Sequence, residues 1–341
     1  MEDKRLVMDG STRIDTLDYL RGFALLGIIL VNVLPLLSVK LPSPHTMEAS
    51  YWRLLYLFVE GRFYTIFTFL FGVGFYIFIT RANIKGRNGY ILFLRRMAAL
   101  FIIGLVHVQF HPGEALTVYA ICGLFILPFY KANKVVNLVF GTVMLIVLGF
   151  FSFKLFMVIP LMLLGIAAGQ FQVFERLSKI RNKVILFTSI MFALSVPGLI
   201  YQYQFAPASI GYGSEADLQA VQRFLSIGIT IGPVISAFYV GLLVFLLQSS
   251  FFQKVLSPLK SYGRMALTNY ISQTALLFLA GNTLNLFNKI TYIQSLYLCI
   301  TIYIIQLFFS VMWLRFFRYG PVEWIWRIVT YFEIPPLRKQ T

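Results

Sequence analysis

Apolar runs of about twenty residues follow one another along the whole chain, from 22–37 near the start to 296–314 near the end. A helix needs roughly 20 apolar residues to cross a hydrocarbon layer of about 30 Å. The runs lack the strict alternation of a barrel strand, and inside lipid only helices or closed barrels satisfy their own backbone hydrogen bonds. The pattern predicts an all-α polytopic transmembrane helical bundle of about ten spans. They are placed at 18–39, 62–80, 96–111, 115–130, 134–150, 155–172, 184–202, 224–248, 265–284 and 292–314. The longest loops, 40–61 and 203–223, fall on one side, and 51–60 is amphipathic enough for a helix lying in the interface. Residues 1–17 are expected to form a cytoplasmic segment, 18–319 the membrane domain and 320–341 a cytoplasmic interfacial tail.

Composition agrees: hydrophobic residues make up 59% of 341 positions and charged residues 12%, against about a quarter charged in soluble domains. The polar first 17 residues and the absence of a small-residue cleavage site after the first run argue against a removable signal peptide. Cys122 and Cys299 sit in apolar runs and read as small core residues.

A net charge of +16 would suit a nucleic-acid partner, but its distribution argues for topology instead. Counting from inside, all basic residues except Lys40, Arg53, Arg62, Lys154, Arg223 and Lys289 fall in cytoplasmic segments, among them Lys4, Arg5 and the 81–96 group. This is the positive-inside pattern, and it puts both termini in the cytoplasm with the lipid bilayer as the main partner. Gly72 and Gly74, and Gly165 and Gly169, have the spacing of close helix packing. No internal repeat is visible, and a homo-oligomer is left open.

Polar and ionisable side chains inside spans are costly, so each is a site candidate. They form two groups. At the inner face Asp18 and Arg21 share a helix face, and Thr268, Asn269, Ser272 and Gln273 form a polar stripe. Glu323 and Arg327 are spaced for an i,i+4 pair. These residues either glue helices together or line a pocket for a phosphorylated ligand. In the second case Arg21, Arg95, Arg96, Arg264, Asn269 and Arg327 are the binding candidates, since guanidinium groups grip phosphates bidentately.

The outer group comprises Asn32, Glu60, Arg62 and Tyr64, together with the turn holding His107, His111, Glu114 and Tyr119. His107 and His111 are four apart and share a helix face until Pro112. A neutral imidazole beside a carboxylate suits general-base activation of a hydroxyl or amine, and the bland reading is a pair of rim histidines bonded to Glu60 or Glu114. The same residues could hold zinc, but the spacing lacks a catalytic Glu beside the first His, so no metal is assigned. His45, in a Pro-rich loop, reads as solvated. No phosphate-binding loop, nucleophile elbow or Cys-x-x-Cys pair occurs.

The first span, from Asp18-Tyr-Leu-Arg-Gly to Asn32, resembles the opening of the YeiB/YxaH-like family of bacterial membrane proteins of unassigned function. Phe69-Leu-Phe-Gly-Val-Gly-Phe75, the turn at Gly113-Glu114-Ala-Leu, Gly263-Arg-Met-Ala-Leu-Thr-Asn-Tyr and Gly320-Pro-Val-Glu-Trp-Ile-Trp-Arg327 extend that likeness nearly end to end. The turn carries Glu for Asp and Ala for Ile. The family in turn is distantly similar to transmembrane acyltransferases of the heparan-α-glucosaminide N-acetyltransferase type. That likeness implies a multi-pass protein of the bacterial plasma membrane, with acyl-CoA as donor entering from the cytoplasm. The acceptor would be a carbohydrate or lipid at the outer face. The catalytic histidine of such enzymes follows their asparagine in the first outer loop. Here His45 is displaced by two residues, so the base would be His107 or His111, oriented by Glu114. Asn32 and Tyr119 would donate to the oxyanion. Two other classes fit the residues: a small-molecule transporter whose polar groups are the ends of one pathway, and a non-catalytic lipid- or quinone-binding protein.

Overall fold

The computed structural model describes residues 13–207 and 215–339. Lys4 and Arg5 of the N-terminal segment, and 208–214 of the loop 203–223, lie outside the described residues. The chain forms α1 Asp15–Leu36, α2 Met47–Phe58, α3 Arg62–Ile84, α4 Gly89–His107, α5 Leu116–Phe125, α6 Lys134–Phe150 and α7 Val158–Gln170. There follow α8 Arg181–Gln204, α9 Glu215–Leu246, α10 Ser250–Val255, α11 Ser257–Arg264, α12 Ala266–Thr283, α13 Tyr292–Phe316 and α14 Pro321–Tyr331. Among the described residues there is no strand, only one isolated bridge between Phe317 and Arg338.

Each of the ten expected segments holds a helix. Six stretches are long and apolar enough to cross a membrane: Asp15–Leu36, Met47–Ile84, Gly89–His107, Arg181–Gln204, Asp217–Leu246 and Tyr292–Phe316. The chain is therefore a multi-pass helical membrane protein. The helices α5, α6 and α7 are apolar but shorter, and α12 carries the polar stripe. Exposure has the pattern lipid demands, with large apolar side chains such as Ile146, Phe150, Leu186, Ile304 and Phe308 on the outside of α6, α8 and α13.

Local chemistry sets the boundaries. Asp15 and Asp18 stand in the first turn of α1, where negative charge complements the helix dipole. Thr46 caps α2 by accepting from Ala49 N at 3.2 Å. Asn88 caps α4 by accepting from Tyr90 N and Ile91 N at 3.1 and 3.2 Å, so that helix begins seven residues before the expected span. It also ends at His107, not at 111. One further helical bond, His111 N to His107 O at 2.9 Å, precedes Gly113, whose φ of +83° turns the chain back.

Two glycine contacts bring backbones together. A Cβ on Gly72 would overlap the Met162 carbonyl, and one on Gly165 the Phe69 carbonyl, so α3 and α7 touch main chain to main chain. The same holds for α1 and α11, where Gly22 faces the Leu259 carbonyl and Gly263 the Asp18 carbonyl. Around these contacts Leu20, Ala24, Leu25, Val73, Met162 and Ile166 are fully buried. With α3 held against α7, its opposite face and those of α1, α4, α12 and α14 enclose a space that side chains do not fill.

Candidate functional site

That space is a cavity of about 960 Å³, within the roughly 300–1,000 Å³ of small-molecule sites. Its wall runs from Arg327 and Arg264 at one end, past Gly74, Phe71 and Phe67, to Tyr119, Glu114 and Lys154 at the other. It joins the two polar groups that the sequence keeps apart.

One end is basic. Arg13, Arg21, Arg81, Lys85, Arg87, Arg96, Arg264, Arg318 and Arg327 contribute to its wall, with three acids among them. Each acid is engaged. Asp18, 1% exposed, pairs with Arg13 and with Arg21 Nη1 at 3.2 Å. Glu333 pairs with Arg87 at 3.0 Å. Glu323 caps α12, accepting from Leu267 N, Thr268 N and Thr268 Oγ1 at 2.7, 3.0 and 2.5 Å; burial holds its pKa above the ordinary carboxylate value despite these donors. Arg96, Arg264, Arg318 and Arg327 have no carboxylate within ion-pair distance among the described residues. Arg96 instead lies 3.7 Å from the Trp326 ring centroid and 4.8 Å from that of Phe78. Arg327 stacks on Tyr319 and Tyr331. Burial, then the neighbouring Arg13, lowers the pKa of Arg264, whose buried Nε has no partner. Planar, partly desolvated guanidinium groups in this number give that end a strongly positive potential.

The other end is mixed. Glu60 accepts from Lys154 Nζ at 2.6 Å. Tyr119 shares a 2.8 Å hydrogen bond with Thr68. Glu114 accepts from Leu116 N, Thr117 N and Thr117 Oγ1 at 2.5, 2.7 and 2.5 Å. Its pKa is lowered: burial pushes it up, and His107 and the Thr117 and Leu116 donors outweigh that. His107 stands behind it, Nδ1 3.6 Å from Glu114 Oε2 and Nε2 2.9 Å from Thr274 Oγ1. His111, 5.5 Å from the His107 ring, has its pKa pushed down to about 4, by burial first and then by His107.

Comparison with known proteins covers nearly the full length. A Bacillus acidopullulyticus protein, named as an uncharacterized 39.9 kDa protein in the amylase 3' region, is 58% identical over 94% of both chains. The YxaH protein of Bacillus subtilis is 27% identical over 96% of this chain and 97% of its own. YeiB of Escherichia coli is 28% identical over 92% and 95%. The chain belongs to the YeiB/YxaH-like family. The family model described as "Protein of unknown function (DUF418)" matches residues 168–333. No solved structure matches the chain.

The family motifs supply much of the wall, though not as the sequence suggested. Arg21, Arg96, Arg264 and Arg327 line the basic end, and Asn32, Glu114 and Tyr119 line the rest. Arg95 does not: its guanidinium lies over the Phe332 ring at 4.3 Å, because adjacent helical residues point about 100° apart. Asn269 also leaves the set. It is 1% exposed and donates to the Tyr262 carbonyl and to Ser310 Oγ, both at 2.9 Å, within a zipper completed by Gln273 and Gln306. The polar stripe of α12 is helix glue. The expected Glu323–Arg327 pair gives way to the α12 cap. His107 and His111 lie outside the cavity lining, so Glu114, not an imidazole, meets the cavity. Among the described residues no three His, Cys, Asp or Glu side chains could share a metal ion.

Lys154 lines the wall without having been a candidate from the sequence, as do Arg13, Arg81, Lys85, Arg87 and Arg318. The signal for Lys154 was there: it is one of six basic residues breaking the positive-inside pattern, the one charged residue of an aromatic-rich turn.

Proposed function

We propose that the cavity binds an anionic amphiphile of the acyl-CoA type for transfer of its acyl group to a carbohydrate or lipid acceptor. The basic end would face the cytoplasm of a bacterial cell and both termini would lie there, in a ten-span topology. One observation carries this reading: a single cavity runs from arginines without carboxylate partners, over an aromatic floor, to a polar end at Glu114 and Lys154. Phosphates would rest on Arg96, Arg264 and Arg327, with the acyl thioester extending along Phe71 and Phe67. At the polar end an acceptor hydroxyl would attack the thioester carbonyl and the CoA thiol would leave. Glu114 would orient the hydroxyl. Its Oε2 accepts from Leu116 N and lies 3.6 Å from His107 Nδ1, which leaves a lone pair for it. Asn32 and Tyr119 are the donors on the wall for the developing oxyanion. His107, behind Glu114, would act through it.

The seclusion of both histidines favours a second reading, in which the same cavity holds an anionic lipid or carries it without chemistry. Calorimetry on the purified full-length protein in detergent, with acetyl-CoA and palmitoyl-CoA, tests the first. The expected result is saturable binding, weakened roughly tenfold in Arg264→Ala by loss of one charge-assisted contact. Thiol release on adding a glycan acceptor should follow. No binding of either CoA ester overturns the proposal, and binding without thiol release for any acceptor leaves only the second reading.

A further inference from the structure

A smaller pocket of about 240 Å³ lies beside the main cavity, between α2, α3, α8 and α9, and Glu60 and Lys154 line both. Arg62, 2% exposed, is part of its wall. Its Nη1 donates to the Glu60 carbonyl at 2.6 Å and its Nη2 to Gln202 Oε1 at 2.9 Å, both neutral acceptors. Its buried Nε has no partner. The adjacent carboxylate, Glu60, is taken by Lys154. Among the described residues two cations therefore share one carboxylate, and an uncompensated buried charge is costly. A second, independent observation concerns the opposite wall. Gly232 is buried, yet a Cβ added there would meet no atom within 4 Å. The space it borders is the pocket itself. At Gly228 a Cβ would crowd Gln202 Nε2 at 2.6 Å and sit 3.4 Å from Arg62 Nη1, so the missing side chain leaves Arg62 room.

We infer that this pocket is a second binding site, for a single anionic group, a phosphate or a carboxylate, held by Arg62 Nε and completed by Lys154. The site shares Glu60 and Lys154 with the polar end of the larger cavity, while the CoA phosphates of the proposed function rest on the arginines at the far end. The anion arrives either as the headgroup of an anionic lipid or as a free ion.

The test uses the full-length protein, delipidated in a neutral detergent, and follows its thermal unfolding midpoint. Dihexanoyl-phosphatidylglycerol, sodium phosphate and sodium acetate are the probes, with dihexanoyl-phosphatidylcholine as the zwitterionic control. The expected result is a saturable rise in midpoint with an anionic probe and none with the control. Arg62→Met should weaken that response roughly tenfold, the loss expected for one charge-assisted hydrogen bond. Gly232→Leu should weaken it at least as much by occupying the space the anion needs. Gly232→Leu keeps Arg62 and fills open space, so it decides the matter even where Arg62→Met does not fold. A response to phosphatidylglycerol alone identifies a lipid headgroup, and a response to phosphate or acetate identifies a free ion. No anionic response above the control, or an undiminished response in Gly232→Leu, overturns the inference. An intact anion response in Arg264→Ala, or in a protein that binds no CoA ester, separates this site from the other proposal.

Discussion

Arg95 and Arg96 are adjacent in the chain and chemically identical, yet only one of them is expected to matter for ligand binding. Arg96 lines the cavity, its guanidinium braced between Trp326 and Phe78. Arg95 lies over Phe332, off the wall. A charge-assisted hydrogen bond to a phosphate is worth about 1.5–3 kcal/mol, and about 1.4 kcal/mol is tenfold in Kd, so Arg96→Ala should weaken palmitoyl-CoA binding roughly 10- to 150-fold. The fold should survive the change, because Trp326 Nε1 donates to the backbone carbonyl of residue 96 at 2.9 Å, which alanine keeps. Arg96→Lys keeps the charge but loses the planar fork, and should fall between wild type and Arg96→Ala. Arg95→Ala should change Kd by no more than about twofold, as for a charge that lies off the cavity wall. Calorimetry on the three variants beside wild type, each checked by gel filtration, reads these values. Equal losses at both positions, or wild-type binding in Arg96→Ala, would refute the placement of the phosphates.

Three further outcomes are expected. Asp18→Asn removes the anion holding Arg13 and Arg21; because those partners are 46% and 29% exposed, the 3–5 kcal/mol of a fully buried pair should shrink to about 2 kcal/mol. Unfolding with and without Arg21→Met measures this, and an unchanged stability in the single variant would contradict it. Gly263→Ala drives a methyl into the Asp18 carbonyl and should cost about 1–3 kcal/mol or more, whereas Gly232→Ala, which meets nothing, should leave the unfolding midpoint nearly unchanged. His111 faces His107, Glu114 and the Tyr270 ring, and its pKa of about 4 lies below the roughly 6.5 of an unfolded chain. Its contribution to stability is therefore present above about pH 6.5 and is lost as the pH falls toward 4. A histidine NMR titration, assigned through His111→Gln among the three histidines, checks it; a His111 resonance titrating near 6.5 would be the contrary result.

Much was legible in the chain alone. Its hydropathy marked the helices and the membrane, because transfer from water to lipid is a nearly additive property of residues taken in order. The spacing of Asp18 and Arg21 placed them on one helix face, and the structure pairs them. The small residues Gly72 and Gly165 declared a close packing that α3 and α7 make. Tertiary structure alone decided which polar groups meet a ligand and which hold helices together. Nothing local separates Asn269, spent on Ser310 and the Tyr262 carbonyl, from Asn32 on the cavity wall. Nothing local puts His107 behind Glu114, or makes Lys154 of one turn the partner of Glu60, 94 residues earlier. A side chain's cost inside a membrane is set by its own chemistry, but its role is set by the partner that offsets that cost, and the partner arrives from a distant helix.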